Sequence, residues 1–359
     1  MPWRGTFSKK VFKNPAMDLS QLGEFGLISR FQSRLKYRSS QVIKGIGDDC
    51  AVLSLNNGNY QVLTTDALVE TVHFNLKTHT PEQLGWKTMA VNISDIAAMG
   101  GQPKFAVISI GIPKSLPVDF LDRFYKGLNQ ASVKYKVALI GGDTVASPKH
   151  LFINLALLGE TQKKRVFVRS GARPGDKIFV TGTLGDSALG LKILESPRKQ
   201  WKGSDAQRKK LVQKHLRPEP RVEVANWLAK SKFKVTSMID ISDGLTQDLG
   251  HILKAGKVGA YLSEVGLPIS KTLLKYSLIN GLSALDLALS GGEDYELLFT
   301  LDPEDVISLS TESITKVDQP VTQVGVITAK KGIRLISKTG RIKALQRSLG
   351  FNHFKGKSL

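Results

Sequence analysis

One cysteine, Cys50, is all the thiol this 359-residue chain possesses. That excludes an intramolecular disulfide and any Cys-rich zinc centre, and it suits a reducing compartment such as the cytoplasm. Long apolar runs are missing too: no stretch of eighteen or more apolar residues exists, which argues against a transmembrane helix. Residues 1–17 are basic but lack the apolar run and small-residue cleavage site of a secretory leader, and read as a disordered extension. Neither a Gly-x4-Gly-Lys-Ser/Thr loop nor a kinase-type glycine loop is present, so any nucleotide must be held through metals and scattered basic residues. No EF-hand loop appears, and the six histidines support no Ser/His/Asp or Cys/His arrangement.

Acidic residues are the minority charge, 31 against 51 Lys and Arg, giving a formal +20. Basic runs lie at Lys192–Lys234 and Lys330–Leu359, the latter with no Asp or Glu. They lack aromatic interleaving or a recognition-helix pattern, so they read as solvated faces rather than a nucleic-acid interface, and could also help collect a polyphosphate substrate.

Against that background the acids recur as short motifs, mostly beside glycine: Gly47-Asp48-Asp49, Thr64-Thr65-Asp66, Asn92-Ile93-Ser94-Asp95, Gly141-Gly142-Asp143, Asp240-Ile241-Ser242-Asp243-Gly244 and Gly291-Gly292-Glu293-Asp294. Any one of them could simply cap a helix or close a turn. Six together favour cation binding. Mg2+ takes hard oxygen ligands, usually one or two carboxylates plus phosphate and water. Short aspartates at strand and helix ends suit it, and Thr64 and Thr65 could add oxygens.

The chain alternates strands and helices. Strands are expected at Tyr60–Thr65, Ala106–Ile112, Val137–Ile140, Leu151–Leu158, Lys177–Thr181, Val235–Ile239 and Glu296–Leu301. Pro81–Met99 reads as a helix with Thr80 as N-cap and Gly100-Gly101 at its end, which puts Asp95 in the last turn. Further helices are expected at Pro117–Lys136, from Asp186, at Lys209–Leu216, Arg221–Ala229 and Leu245–Ala255. Gly141-Gly142-Asp143 reads as a turn, and the turn-rich segment Glu160–Asp176 as a domain boundary. Thr181–Ser187 could offer amides to an anion, and Arg169 could neutralise phosphate. His73 reads by default as a packed core histidine.

Taken in order with Gly23-Glu24-Phe25-Gly26-Leu27-Ile28, Val72-His73-Phe74 and Ile239–Leu245, these motifs closely resemble the thiamine-monophosphate kinase family, from about Leu22 to Phe354. The resemblance implies an α/β (α+β) fold of two domains, like aminoimidazole ribonucleotide synthetase. An N-terminal ATP/metal-binding and dimerisation domain (18–165), whose sheet forms a dimer barrel, would precede a C-terminal α/β domain (166–354) and a tail (355–359). It implies transfer of the γ-phosphoryl group of ATP onto thiamine monophosphate with several Mg2+ ions, in a homodimer without membrane or nucleic-acid partners. It further implies that Asp49, Thr64, Thr65, Asp66, Asp95, Asp143, Asp240 and Asp243 hold metal. Tyr125, Gly142, Asp143, Arg169 and Ser242 match ATP-binding positions, and His73, Glu293 and Phe351 positions that hold the thiamine substrate. The alternatives are another ATP-dependent enzyme of that superfamily, aminoimidazole ribonucleotide synthetase-like, or a non-catalytic polyanion-binding protein.

Overall fold

The computed structural model describes residues 19–37, 39–55, 58–196, 201–345 and 354. The chain divides into two units, Met1–Arg38 with Phe351–Leu359, and Ser39–Gly350. In the first, helix α1 (Leu19–Gln32) is kinked at Gly23, whose φ of 62° a residue with a Cβ adopts only under strain. Residues 1–17 and 355–359 lie outside the described residues, as does Phe351.

The second unit carries two sheets. One is six-stranded, in the order β1 (Val42–Lys44), β2 (Ala51–Ser54), β3 (Asn59–Val69), β6 (Phe152–Gln162), β4 (Gln102–Pro113), β5 (Ala138–Ser147). Only β4 and β5 run parallel, joined through helix α3 (Val118–Tyr135). The other sheet has seven strands, ordered β13 (Ile342–Leu345), β12 (Gly332–Ile336), β9 (Gly259–Ser263), β11 (Val321–Thr328), β7 (Lys177–Thr181), β10 (Leu297–Leu301), β8 (Val235–Asp240). The remaining helices are α2 (Pro81–Ala98), α4 (Asp186–Glu195), α5 (Asp205–Leu216), α6 (Val222–Lys230), α7 (Leu245–Gly256), α8 (Lys271–Ile279), α9 (Ala284–Ser290) and α10 (Val306–Lys316).

Helix α2 is the spine. Thr80 and Gln83 form a reciprocal capping box with Pro81 in the first turn, so its start is fixed by local chemistry. From Leu84 to Ala98 every residue but Asp95 is buried. One apolar core takes in α2 residues (Leu84, Trp86, Met89, Ile93, Ile96), strands of the six-stranded sheet (Ile108, Ile153, Leu155) and Phe179, Met238 and Phe299 of the seven-stranded one. Trp86 further donates its ring N–H to the Pro218 carbonyl at 2.7 Å.

Gly141-Gly142-Asp143 lies within strand β5, not in a turn. Gly142 answers a tight approach between strands, since a Cβ there would stand 1.9 Å from the Ile108 carbonyl oxygen of β4, whereas a Cβ on Gly141 would meet open space; the β4–β5 register slips just before Val107 pairs with Gly141.

Candidate active site

Two stripes of α2 place polar groups. Asn92 and Asp95, three residues apart, face β3: Asn92 Oδ1 accepts the Asp66 N–H at 3.0 Å, and Asp95 Oδ2 accepts the Thr64 hydroxyl at 2.5 Å. Lys87 and Ser94, two turns apart, face the seven-stranded sheet instead. Ser94 donates its hydroxyl to Asp240 Oδ2 at 2.6 Å, and Lys87 Nζ lies 2.7 Å from Glu293 Oε1.

Asp49, Asp95 and Asp240 converge, each offering a carboxylate oxygen, with all three oxygens within 4.8 Å of one another. They arrive from the loop before β2, the last turn of α2 and the end of β8. The Asp49 side chain is 1% exposed, and its Oδ2 is buried without a hydrogen-bond partner. Asp66 is within electrostatic reach of Asp49, Asp95 and Asp240, and Asp243 within reach of Asp66 and Asp240. Burial and then the neighbouring carboxylates push these acids up: Asp49 to about 7, Asp66 and Asp240 to about 6, and Asp95 well above the carboxylate range. For Asp49, Arg169 opposes that rise, its Nη2 lying 2.5 Å from Asp49 Oδ1 while its backbone N–H donates to Asp48 Oδ1 at 3.0 Å. Clustered, dehydrated oxygen donors with a spare buried carboxylate oxygen, and no thiol or imidazole among them, fit a hard divalent cation such as Mg2+.

Other expected residues fall in different places. Thr65 follows Thr64 on a strand and therefore points to the opposite face, where its hydroxyl meets Asn154 of β6, whose Nδ2 donates to it at 2.9 Å. Asp143 and Gly142 lie on the exposed outer strand β5, Asp143 in register with Ser109. Tyr125 stands on α3, 38% exposed, with its ring edge-on to Phe124. His73 sits in the turn after β3, where its Nδ1 accepts the Val69 N–H at 3.0 Å. Asp294 serves as a cap: its carboxylate accepts the Gly185 and Ser187 N–H groups at the start of α4. Thus two of the six acidic motifs spend a carboxylate on backbone N–H groups, Asp294 on α4 and Asp48 on Arg169.

The loop bearing Glu293 is fastened beside the carboxylate cluster. Glu293 and Tyr295 donate their N–H groups to the Ser242 and Ile241 carbonyls, at 2.7 and 2.9 Å. Asp248 Oδ2 in turn accepts the Asp243 and Gly244 N–H groups, and Gln247 Nε2 donates to Asp243 Oδ2 at 2.7 Å. Glu293 and Tyr295 both take left-handed backbone conformations, φ 64° and 51°, a cost of about 1–3 kcal/mol each that such loops carry at functional sites. Lys87 and His215 were not singled out from sequence, and Asn92 and Ser94 entered only as part of the Asp95 motif, with no role of their own. Lys87 carried a signal all the same, as the one charge between Leu84 and Ser94 in an apolar helix.

Comparison with known proteins follows the same lines. Models of AIR synthase related protein match in two parts, the N-terminal domain over residues 47–161 and the C-terminal domain over residues 173–338. A thiamine-monophosphate kinase of Bacillus subtilis (strain 168) is 38% identical over 335 residues, spanning 93% of this chain and 100% of that protein. The one from Escherichia coli (strain K12) is 40% identical over 307 residues, 86% of this chain and 91% of that protein. Among solved structures, AaThiL complexed with AMPPCP and TMP is 35% identical and matches with a TM-score of 0.80 over 95% of this chain and 100% of its own. The chain belongs to the thiamine-monophosphate kinase family, built from the paired domains of AIR synthase-related proteins.

Proposed function

We propose that the protein transfers the γ-phosphoryl group of ATP to thiamine monophosphate, giving thiamine diphosphate and ADP. An oxygen of the acceptor phosphate forms the new bond to Pγ, and the bond from Pγ to the β-phosphate oxygen breaks, its electrons leaving with ADP. The observation that carries this reading is the meeting of Asp49, Asp95 and Asp240 within 4.8 Å.

Both reactants are anions, so the principal barrier is their mutual repulsion. Asp49, Asp95 and Asp240 would hold Mg2+, with Asp66, Asp243 and the Thr64 oxygen beside them; the metal, when bound, supplies charge neutralisation for both phosphates. Ser94 and Thr64 fix the rotamers of Asp240 and Asp95. We assign Tyr125, Gly142, Asp143, Arg169 and Ser242 to the nucleotide, with Asp143 and the Thr65 backbone oxygen as further metal contacts, and His73, Glu293 and Phe351 to the thiamine substrate. With a phosphate second pKa of about 6 the attacking oxygen is already largely unprotonated, so no general base is required.

The division into an N-terminal metal and nucleotide domain and a C-terminal domain, parting near Arg165, belongs to the same proposal, as does a cytoplasmic setting. So does the homodimer. Leu63, Phe105, Val107, Ile140, Val145 and Phe152 leave apolar side chains exposed on strands of the six-stranded sheet, a surface that a second copy would cover. Incubating the purified chain with ATP, Mg2+ and thiamine monophosphate is expected to yield thiamine diphosphate and ADP in equal amounts, and none in EDTA. Salt-sensitive polyanion binding without any turnover would overturn the reading.

A further inference from the structure

Beside the carboxylate cluster stands a second buried polar group, formed by Lys87, Glu293, His215 and His79. Lys87 is fully buried, and its ammonium lies 2.7 Å from Glu293 Oε1. The second carboxylate oxygen, Oε2, lies 3.1 Å from Nδ1 of His215 on α5, which is itself 2% exposed. A carboxylate can only accept, so the neutral tautomer that serves Glu293 is the one with its proton on Nδ1; Ser187 Oγ lies 3.2 Å from the same nitrogen. The His79 ring packs edge-on against His215 at 5.7 Å. Burial first, then the Lys87 charge, hold His215 at about 3 and His79 at about 4, so both rings are neutral near pH 7. Burial would raise Glu293, but the Lys87 ammonium overrides it and holds the carboxyl at about 2.

Each Glu293 oxygen thus lies against one partner, on a loop already in a left-handed conformation, while 24% of the side chain stays exposed. Both partners come from outside the loop. A carboxylate free to rotate would serve poorly as a fixed acceptor, because freezing it on binding costs side-chain entropy. We propose that Lys87 and His215 are positioning residues that hold Glu293 in one orientation for the thiamine end of the phosphate acceptor. The inference rests on the assignment of Glu293 to that substrate. The ion pairs of Lys87 and His215 are with Glu293 and not with the clustered aspartates, so they act on acceptor binding through Glu293 and leave the nucleotide side alone.

The test is steady-state kinetics on the full chain. Lys87→Met is expected to raise KM for thiamine monophosphate on the order of tenfold, the penalty typical of losing a group that orients a ligand contact, with KM for ATP unchanged. His215→Asn, which keeps a donor near the Nδ1 position, is expected to stay close to the unsubstituted enzyme, whereas His215→Leu is expected to follow Lys87→Met. In a double-substitution cycle Lys87→Met adds nothing to the KM rise already caused by Glu293→Gln, because both act through one carboxylate. Additive effects, an equal rise in KM for ATP, or an unchanged acceptor KM in both Lys87→Met and His215→Leu would overturn the inference while leaving the kinase reading standing. Should Lys87→Met not fold, the His215 pair decides alone, since it removes no charge. Failure of the unsubstituted chain to make thiamine diphosphate overturns the kinase reading and this inference with it.

Discussion

At the carboxylate cluster one guanidinium, Arg169, faces Asp48, Asp49 and Asp240, with Asp95 and Asp66 close behind and Lys44 pairing with Asp48 alone, whereas at Glu293 a single ammonium answers a single carboxylate. Both clusters are buried, and both bridge α2 and loops of the seven-stranded sheet. They differ in balance. The first repels itself and shifts its acids upward toward neutrality, so it lacks positive charge that a ligand must bring. The second is charge-balanced within the chain and ionised, with Glu293 still partly exposed. A buried charge that is paired by the protein is held in one orientation, and a buried charge left in excess calls for a cation from outside.

Substitution separates the two most sharply. Asp240→Asn is expected to lower kcat by about a thousandfold, in the range seen when electrostatic groups of a transferring centre are removed. It should leave Tm in EDTA unchanged or higher, because a repelling charge is gone. Glu293→Gln strands the Lys87 ammonium in the interior and is expected to cost about 3–5 kcal/mol of stability, read as a fall in Tm. A drop in Tm for Asp240→Asn as large as that for Glu293→Gln would break the comparison. Next in size, Ser94→Ala frees the Asp240 carboxylate to rotate and is expected to weaken the apparent Mg2+ affinity by about tenfold, measured as the Mg2+ concentration for half-maximal rate.

Much of this was legible in the sequence where the chemistry is local. The start of α2 follows from Thr80, Pro81 and Gln83, and the carriers of Asp66 and Asp240 from apolar runs. Period-two alternation in β3 also separates Thr64 from Thr65, a distinction available without coordinates. What stayed hidden depends on distant chain. Gly141-Gly142 reads as a turn because nothing nearby reveals the Ile108 carbonyl that forbids a side chain at Gly142. Asp294 caps α4 across more than a hundred residues of sequence. Lys87 is an oddity in an apolar helix until Glu293 and His215 arrive from later elements to meet it.

The smallest expected effect is also the one in which both clusters report at once. Asp49, Asp66 and Asp240, raised above their unfolded values to about 7, 6 and 6, keep protons in the folded state that the unfolded chain releases. Their contribution therefore favours folding at low pH and turns against it as pH rises from roughly 4 to 7. His79 and His215, lowered to about 4 and 3, refuse protons that the unfolded chain accepts below roughly 6.5, so their contribution falls as pH drops through that window. In EDTA the two slopes oppose each other between about pH 4 and 6.5. Mg2+ removes the carboxylate slope alone, since a bound cation replaces the protons. The Tm gained from Mg2+ over EDTA is thus expected to be small near pH 4.5 and to grow up to about pH 7, while His79→Gln/His215→Gln flattens the acid limb under both conditions. A Mg2+ gain independent of pH would mean that the carboxylates are not held in excess, and the contrast between the two clusters would fail.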